Sequence, residues 1–378
     1  MKIVTFYLPQ YYTFPENDKW WGKGFTEWTN VKKSKPLFKN HYQPTVPLNE
    51  NYYCLDDINT MKWQAELAKK YGIYGFCFYH YWFGEGRQLM QKPVEAWLEH
   101  KEINFPFCLC WANHNWSRTW VGGDKDILMD MRYGDENEWE KHFHYLLQFF
   151  KDKRYIYINN KPVLVIYLPQ KISCLQKMLL YFKKRAIESG LNGLTIISQN
   201  FIYSDKTRNT DELLDYRINY EPNRIRAEGI LNNIKNELLW SVDLLKYRFK
   251  GIIKSYTKGK LFHVRTHNYD LAWKCMLKRK VIDKKEIAGA FVKCDVTPRR
   301  QDRAIIFRGA SPNKFEHYMN LLIKKVESEF STDWIFVSAW NEWGEGMYLE
   351  PDEKYKYGYL EAIKQALEEN NEFPTWND

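Results

Sequence analysis

The chain has 378 residues, 44% of them apolar, which is enough for the core of a large α/β barrel built as one unit. Its net charge of +9 is modest for this length and comes with no nucleic-acid-binding motif, which sets nucleic-acid partners aside. No apolar run approaches membrane-spanning length, and seven cysteines without disulfide or metal spacing read as reduced, buried residues.

The first strand is expected at Ile3 to Leu8, with Tyr7, Gln10 and Tyr11 leaving its end. The chain enters it directly from Met1 without an apolar leader, so a cytoplasmic protein is expected. A long loop follows that carries Glu27, Trp28 and His41, too aromatic to be disordered. Asp56 and Asp57 start a helix through Tyr71. The second strand, Ile73 to Tyr79, empties into His80, Tyr81 and Trp82; the third, Phe105 to Cys110, empties into Trp111, Asn113, His114 and Trp116. Helices are expected at 92–100, 136–151 and 173–188. The fourth strand is Pro162 to Tyr167 and the fifth Gly193 to Ser198, ending at Gln199 and Asn200. A short sixth, Tyr216 to Tyr220, ends at Glu221.

Residues 225–287 interrupt this rhythm as a basic, helical insertion. Its lysine-rich runs read as a solvated helix face, or as peripheral contact with an anionic inner-membrane surface or a lipid-linked glycan. The seventh strand is Ala288 to Lys293, leading to Asp295, Arg299 and Arg300, where the arginines suit either a phosphate or a solvated loop. A helix at 312–330, the eighth strand at Trp334 to Ala339 and a helix at 354–370 complete the chain. Eight strands separated by helical crossovers imply one (β/α)8 domain over 1–378, with every strand end on one face. A doubly wound sheet would carry a Gly-rich phosphate turn after an early strand, and none follows Leu8 or Tyr79.

The eighth strand ends in Trp340-Asn341-Glu342-Trp343-Gly344-Glu345-Gly346-Met347-Tyr348. Two acids three residues apart in an aromatic turn would repel in one pocket, which drives one pKa up and leaves one donor and one acceptor near neutral pH. Around them the strand ends gather Tyr7, Gln10, Tyr79, His80, Tyr81, Trp111, Asn113, His114, Tyr167, Asn200, Tyr220, Glu221, Asp295 and Trp340. Amides and acids bond hydroxyls, and ring faces stack on sugar faces. His80, His114 and Asp295 could in principle gather around a metal, but no His-x-His or His-Glu-x-x-His spacing supports it, so neither metal nor cofactor is expected.

The segment from Trp340 to Gly346 with Glu350-Pro351, together with Phe6 to Tyr11, Gly24 to Trp28 and Trp111 to Trp116, resembles glycoside hydrolase family 99. It is most similar to the family 99-like or WbsX-type group, found among surface-polysaccharide proteins and often labelled glycosyltransferases. The resemblance implies a retaining α-mannosidase-like enzyme acting on an oligosaccharide or polysaccharide. In that mechanism one glutamate, matched by Glu342, deprotonates the substrate's own 2-hydroxyl, which attacks the anomeric carbon. The other, matched by Glu345, protonates the leaving oxygen and then assists water. Glu345 is therefore expected to hold the raised pKa. Substrate contacts are expected from Tyr7, Gln10, Glu27, Trp28, Tyr79, His80, Tyr81, Trp111, Asn113, His114, Trp116, Tyr220, Glu221, Asp295, Trp340, Asn341, Trp343 and Tyr348. The competing functions are a sugar-nucleotide-dependent transferase and a glycan-binding barrel without catalysis. No Asp-x-Asp placed for a metal diphosphate supports the first, and the like-charged pair argues against the second.

Overall fold

The structure is a computed structural model that describes residues 1–118, 123–199, 212–228 and 264–376. Eight parallel strands close on themselves: β1 Lys2–Tyr7, β2 Gly75–Gly84, β3 Phe107–Trp111, β4 Lys161–Ile166, β5 Thr195–Ser198, β6 Tyr216–Ile218, β7 Glu286–Phe291 and β8 Trp334–Ser338. Each pairs with the next, and β8 and β2 both pair with β1 (Lys2 opposite Trp334, Val4 opposite Gly75), which completes the (β/α)8 barrel. The strands are almost wholly buried, as expected of parallel strands packed between a barrel core and outer helices.

The helices are α1 Pro15–Trp21, α2 Glu27–Lys33, α3 Ile58–Lys70, α4 Lys92–Glu99, α5 Glu136–Phe150, α6 Leu175–Glu188, α7 Asn223–Ala227, α8 Tyr269–Lys278, α9 Thr297–Arg300, α10 Pro312–Glu329 and α11 Gly358–Glu369. Local signals start several of them. Asp57 and Asp135 accept backbone N–H groups at the starts of α3 and α5, and Ser311 does so ahead of Pro312 in α10. The long first loop holds two short helices, α1 and α2, and α2 brings Glu27 under the strand ends.

Of the basic insertion, 229–263 lies outside the described residues. Its flanks belong to the barrel: α8 packs against α10, and Glu286 already begins β7. Arg265–Asn268 is a strand, paired in parallel with Ile305–Arg308 beside the barrel.

The second strand runs five residues past its expected end, to Gly84, and folds back on Arg87–Leu89. This extension sets side-chain parity. Tyr79 and Tyr81 face the barrel axis, whereas His80 and Trp82 face outward against His142 of α5. On β1 the same alternation turns Phe6 inward, against Tyr79 and Phe336, and Tyr7 outward to Gln64 of α3. No described helix is long and apolar enough to cross a membrane.

Candidate active site

A cavity of about 160 Å³ opens where the strands end. Its lining includes Leu8 and Gln10 after β1, Tyr79 and Tyr81 on β2, Ala112, His114, Asn115, Trp116 and Ser117 after β3, and Tyr167 after β4. Tyr220 after β6, Arg299 on α9, and Glu342 and Glu345 after β8 complete it. One wall is thus phenol and indole, the other carboxylate.

The turn carrying the two glutamates is clamped from several sides. The Asn341 side chain accepts from Leu8 N at 2.7 Å and donates to Leu8 O at 3.0 Å, tying the end of β1 to the exit of β8. Tyr11 donates to Asn341 O, and the Tyr11 hydroxyl accepts from Trp343 N at 3.3 Å. The Trp343 indole donates to the buried carboxylate of Glu350 at 2.6 Å and stacks on Tyr348 with centroids 3.7 Å apart. Tyr348 in turn donates to Asp352 at 2.7 Å. Glu350 also accepts from Gln64 at 2.6 Å and Tyr53 at 2.9 Å, yet burial still pushes its pKa up to about 7.

One guanidinium organises the acidic wall. Arg299 donates from Nε to Glu27 at 2.8 Å, from Nη2 to Glu342 at 2.8 Å and from Nη1 to Glu345 at 2.6 Å. Gly344 makes this possible without any unusual backbone angle. A Cβ there would lie 1.5 Å from Glu27 Oε1 and 2.8 Å from Arg299 Nε. The absent side chain therefore makes room for a carboxylate of the protein itself. Burial raises the Glu342 pKa to about 8, against the pull of Arg299 and with the push of Glu345 and Glu27. The sequence reading expects the raised pKa on Glu345. The structure puts a raised value on Glu342, which is buried between Arg299 and the tyrosines; the Glu345 side chain retains 31% exposure.

On the aromatic wall Gln199, under β5, donates to the Tyr79 hydroxyl at 2.8 Å and accepts from Cys110 at 2.9 Å. Burial holds the Tyr79, Tyr81 and Tyr220 phenols well above their ordinary pKa, so they stay protonated. Burial lowers His114 to about 4, leaving its imidazole neutral over the edge of Tyr167.

The structure brings together Gln10, Tyr79, Tyr81, His114, Trp116, Tyr167, Tyr220, Glu342 and Glu345 of the residues expected from sequence. Others lie outside the cavity lining. Tyr7 bonds Gln64, His80 bonds His142 at 3.0 Å, and the Trp111 indole donates to Trp82 O at 2.9 Å; all three follow outward strand parity. Asn113 closes a reciprocal pair with the Leu168 backbone. Trp340 packs on Phe76, while Asn341, Trp343 and Tyr348 brace the turn as described. Trp28 backs Trp343 and donates to Tyr53 O. Glu27 reaches the site only through Arg299. Glu221 is buried against Arg279 at 2.6 Å and caps Ile225, and burial raises its pKa. Asp295 is held by His41, Gln43 and Thr297, which keep its pKa down against burial. Asn200 lies outside the described residues. Among those residues no cluster of His, Cys, Asp and Glu could hold a metal ion.

Sequence reasoning left Leu8, Ala112, Asn115 and Ser117 out of the cavity. It also missed the central place of Arg299, for which only its position after a strand end was a signal.

Strands and cavity together define a (β/α)8 barrel with an acid-lined cleft at its strand ends. The chain belongs to the glycosyltransferase WbsX family, whose model matches residues 3–363. It is 30% and 31% identical to the uncharacterized WxcX proteins of two Xanthomonas campestris pv. campestris strains, B100 and ATCC 33913, over 97% of this chain and 49% of theirs. The chain thus spans about half the length of the curated relatives it matches. In fold it is similar to a GH99 endo-alpha-mannosidase from Bacteroides thetaiotaomicron, with TM-score 0.52 and 12% identity over 98% of this chain and 97% of that one. A glycoside hydrolase-like protein aligns with TM-score 0.57 and 14% identity, over 97% and 93% of the two chains.

Proposed function

We propose that this barrel acts on a glycosidic bond, with Glu342 and Glu345 as its paired acid and base. The single observation that carries the reading is this carboxylate pair, shared by one guanidinium and facing a wall of protonated tyrosines. Such a wall donates hydrogen bonds to sugar oxygens and offers ring faces, and Gln10 adds an amide. Three carboxylates around one cation leave excess negative charge in a buried place, so the cluster takes up a proton near neutrality. The pair then has one donor and one acceptor, which general acid–base cleavage requires.

The roles follow the family 99 resemblance. Glu342 is the base that takes the proton of the substrate 2-hydroxyl, and Glu345, more open to the cavity mouth, serves the leaving oxygen and later the water. On substrate binding the pair's one proton passes from Glu342 to Glu345, because a hydroxyl donating to the Glu342 carboxylate favours its ionised form, and Glu345 then holds the proton that it gives to the leaving oxygen. This chemistry differs from the ordinary retaining scheme, in which the carboxylate itself attacks the sugar. The substrate class is an α-mannosyl or related glycan of surface-polysaccharide metabolism.

The second reading, transfer from a sugar nucleotide, rests on the name of the family the chain belongs to. Incubation with α-mannosyl and related glycans, with and without sugar nucleotides, separates the two when products are read by mass spectrometry. Cleavage or transglycosylation without nucleotide supports the acid–base reading. Turnover only with nucleotide replaces it by the transferase.

A further inference from the structure

We propose that Arg299 is the positioning residue of this site: anchored from behind by Glu27, its guanidinium holds Glu342 and Glu345 in one fork and sets how many protons the pair carries. The inference rests on the acid–base reading above and adds a device to it.

The geometry is specific to a guanidinium. Its three nitrogens lie in one plane, and each takes a different carboxylate: Nε takes Glu27, Nη2 Glu342 and Nη1 Glu345. Glu27 is fully buried and comes from α2, whereas Arg299 comes from α9 and the acids from the turn after β8. Three segments distant in sequence are thus pinned at one point. Gly344 is packed against that point so closely that only its missing side chain lets Glu27 reach Arg299. The fork engages Oε2 of Glu342 and Oε1 of Glu345.

A merely structural ion pair would not need to line the cavity, and buried pairs of that kind are often replaceable by apolar groups. Arg299 instead lies on the cavity wall with both acids. Glu342 is faced by Arg299 and Glu27 from α9 and α2, by Glu345 from its own turn, and by the phenols of Tyr11, Tyr79, Tyr81 and Tyr220. The phenols are neutral, so beside burial, the largest influence, the charges that act on its proton are one cation and two neighbouring anions. Removing the cation and removing the rear anion must then move the Glu342 titration in opposite directions.

The test titrates Glu342 directly, by infrared difference spectroscopy of the protonated carboxyl band, assigned by its loss in Glu342→Gln. It is paired with the pH profile of kcat/KM on an activated glycoside and with thermal melts. Arg299→Met should move the Glu342 titration up by about 1 to 3 pH units, and Glu27→Gln should move it down. Arg299→Lys keeps the charge without the fork. It should fold like the wild type, titrate between wild type and Arg299→Met, and lose kcat by roughly 10²-fold through misplacement of the acids, with KM little changed. If Arg299→Met does not fold, Arg299→Lys and Glu27→Gln still carry the comparison. Titrations that stay at the wild-type position, or that move the same way in Arg299→Lys and Glu27→Gln, would overturn the proposal. Shifted titrations in a protein that cleaves no glycoside would leave the clamp standing and remove the acid–base reading. Normal turnover with unshifted titrations would remove the clamp alone.

Discussion

Gly344→Ala puts the smallest side chain at the most crowded point of the site. The new Cβ would lie 1.5 Å from Glu27 Oε1, 2.7 Å from Glu27 Cδ and 2.8 Å from Arg299 Nε. An ordinary contact needs about 3.5 Å, so the carboxylate must retreat by about 2 Å. That retreat breaks its 2.8 Å bond to Arg299, since a donor–acceptor separation approaching 5 Å is no hydrogen bond. Overpacking of this kind costs about 1–3 kcal/mol. The gain from stiffening the unfolded chain, about 0.4–1 kcal/mol, offsets only part of it. The larger effect falls on activity. Arg299, having lost that anchor and lying 2.8 Å from the new Cβ, shifts and takes Glu342 and Glu345 with it, and a displacement of about 1 Å costs roughly 10²-fold in rate. Circular dichroism melts should show a folded protein with a lowered midpoint, and steady-state kinetics on a glycoside that the wild type cleaves should show the loss in kcat. A Gly344→Ala protein with wild-type kcat and melting temperature would refute the packing argument and the role of Glu27 with it.

Asn341→Ala should destabilise the fold by about 2–5 kcal/mol, because it strands both buried backbone groups of Leu8; denaturant titration checks this, and an unchanged midpoint would contradict it. Glu350, with a folded-state pKa of about 7 against an ordinary 4.5, binds more protons when folded, so its contribution is fully present below about 4.5 and is lost as pH rises to 7. Relative to Glu350→Gln, the wild type should therefore lose about 3 kcal/mol across that window, measured as the difference between the two unfolding free energies. In the free enzyme Glu342 must shed its proton before acting as a base, so on a glycoside whose leaving group needs no proton from Glu345, kcat/KM should rise with pH and level off above about 8. A profile that falls through that pH would make Glu342 the donor instead.

Much of the fold was legible because its signals are local. Eight apolar runs with turn chemistry between them name the strands, and Asp57, Asp135 and Ser311 mark helix starts. The site was legible only as far as strand ends could be counted. Side-chain direction depends on where a strand stops: because β2 continues to Gly84, Tyr81 stays in the cavity and His80 turns to His142. Glu27, Asn341 and Trp343 look like ligands in sequence because they are polar or aromatic and close to the acids. Arg299 and Leu8, the partners of Glu27 and Asn341, lie 272 and 333 residues away, and Glu350, the partner of Trp343, lies seven residues on beyond the turn; no local pattern announces such pairings. The same limit hid the raised pKa of Glu342: burial is its largest cause, and the spacing of Glu342 and Glu345 is silent about depth.

The most direct test of the paired-glutamate account compares Glu342→Gln and Glu345→Gln on two glycosides of the same sugar, one with a good and one with a poor leaving group. On the poor leaving group both variants should lose roughly 10²–10⁴-fold. On the good one Glu345→Gln should recover most of its rate, because that departure needs no proton. Glu342→Gln should stay slow on both, and a 2-deoxy substrate should be inert even with the wild type. Near wild-type rates for both variants on the poor leaving group would contradict the account.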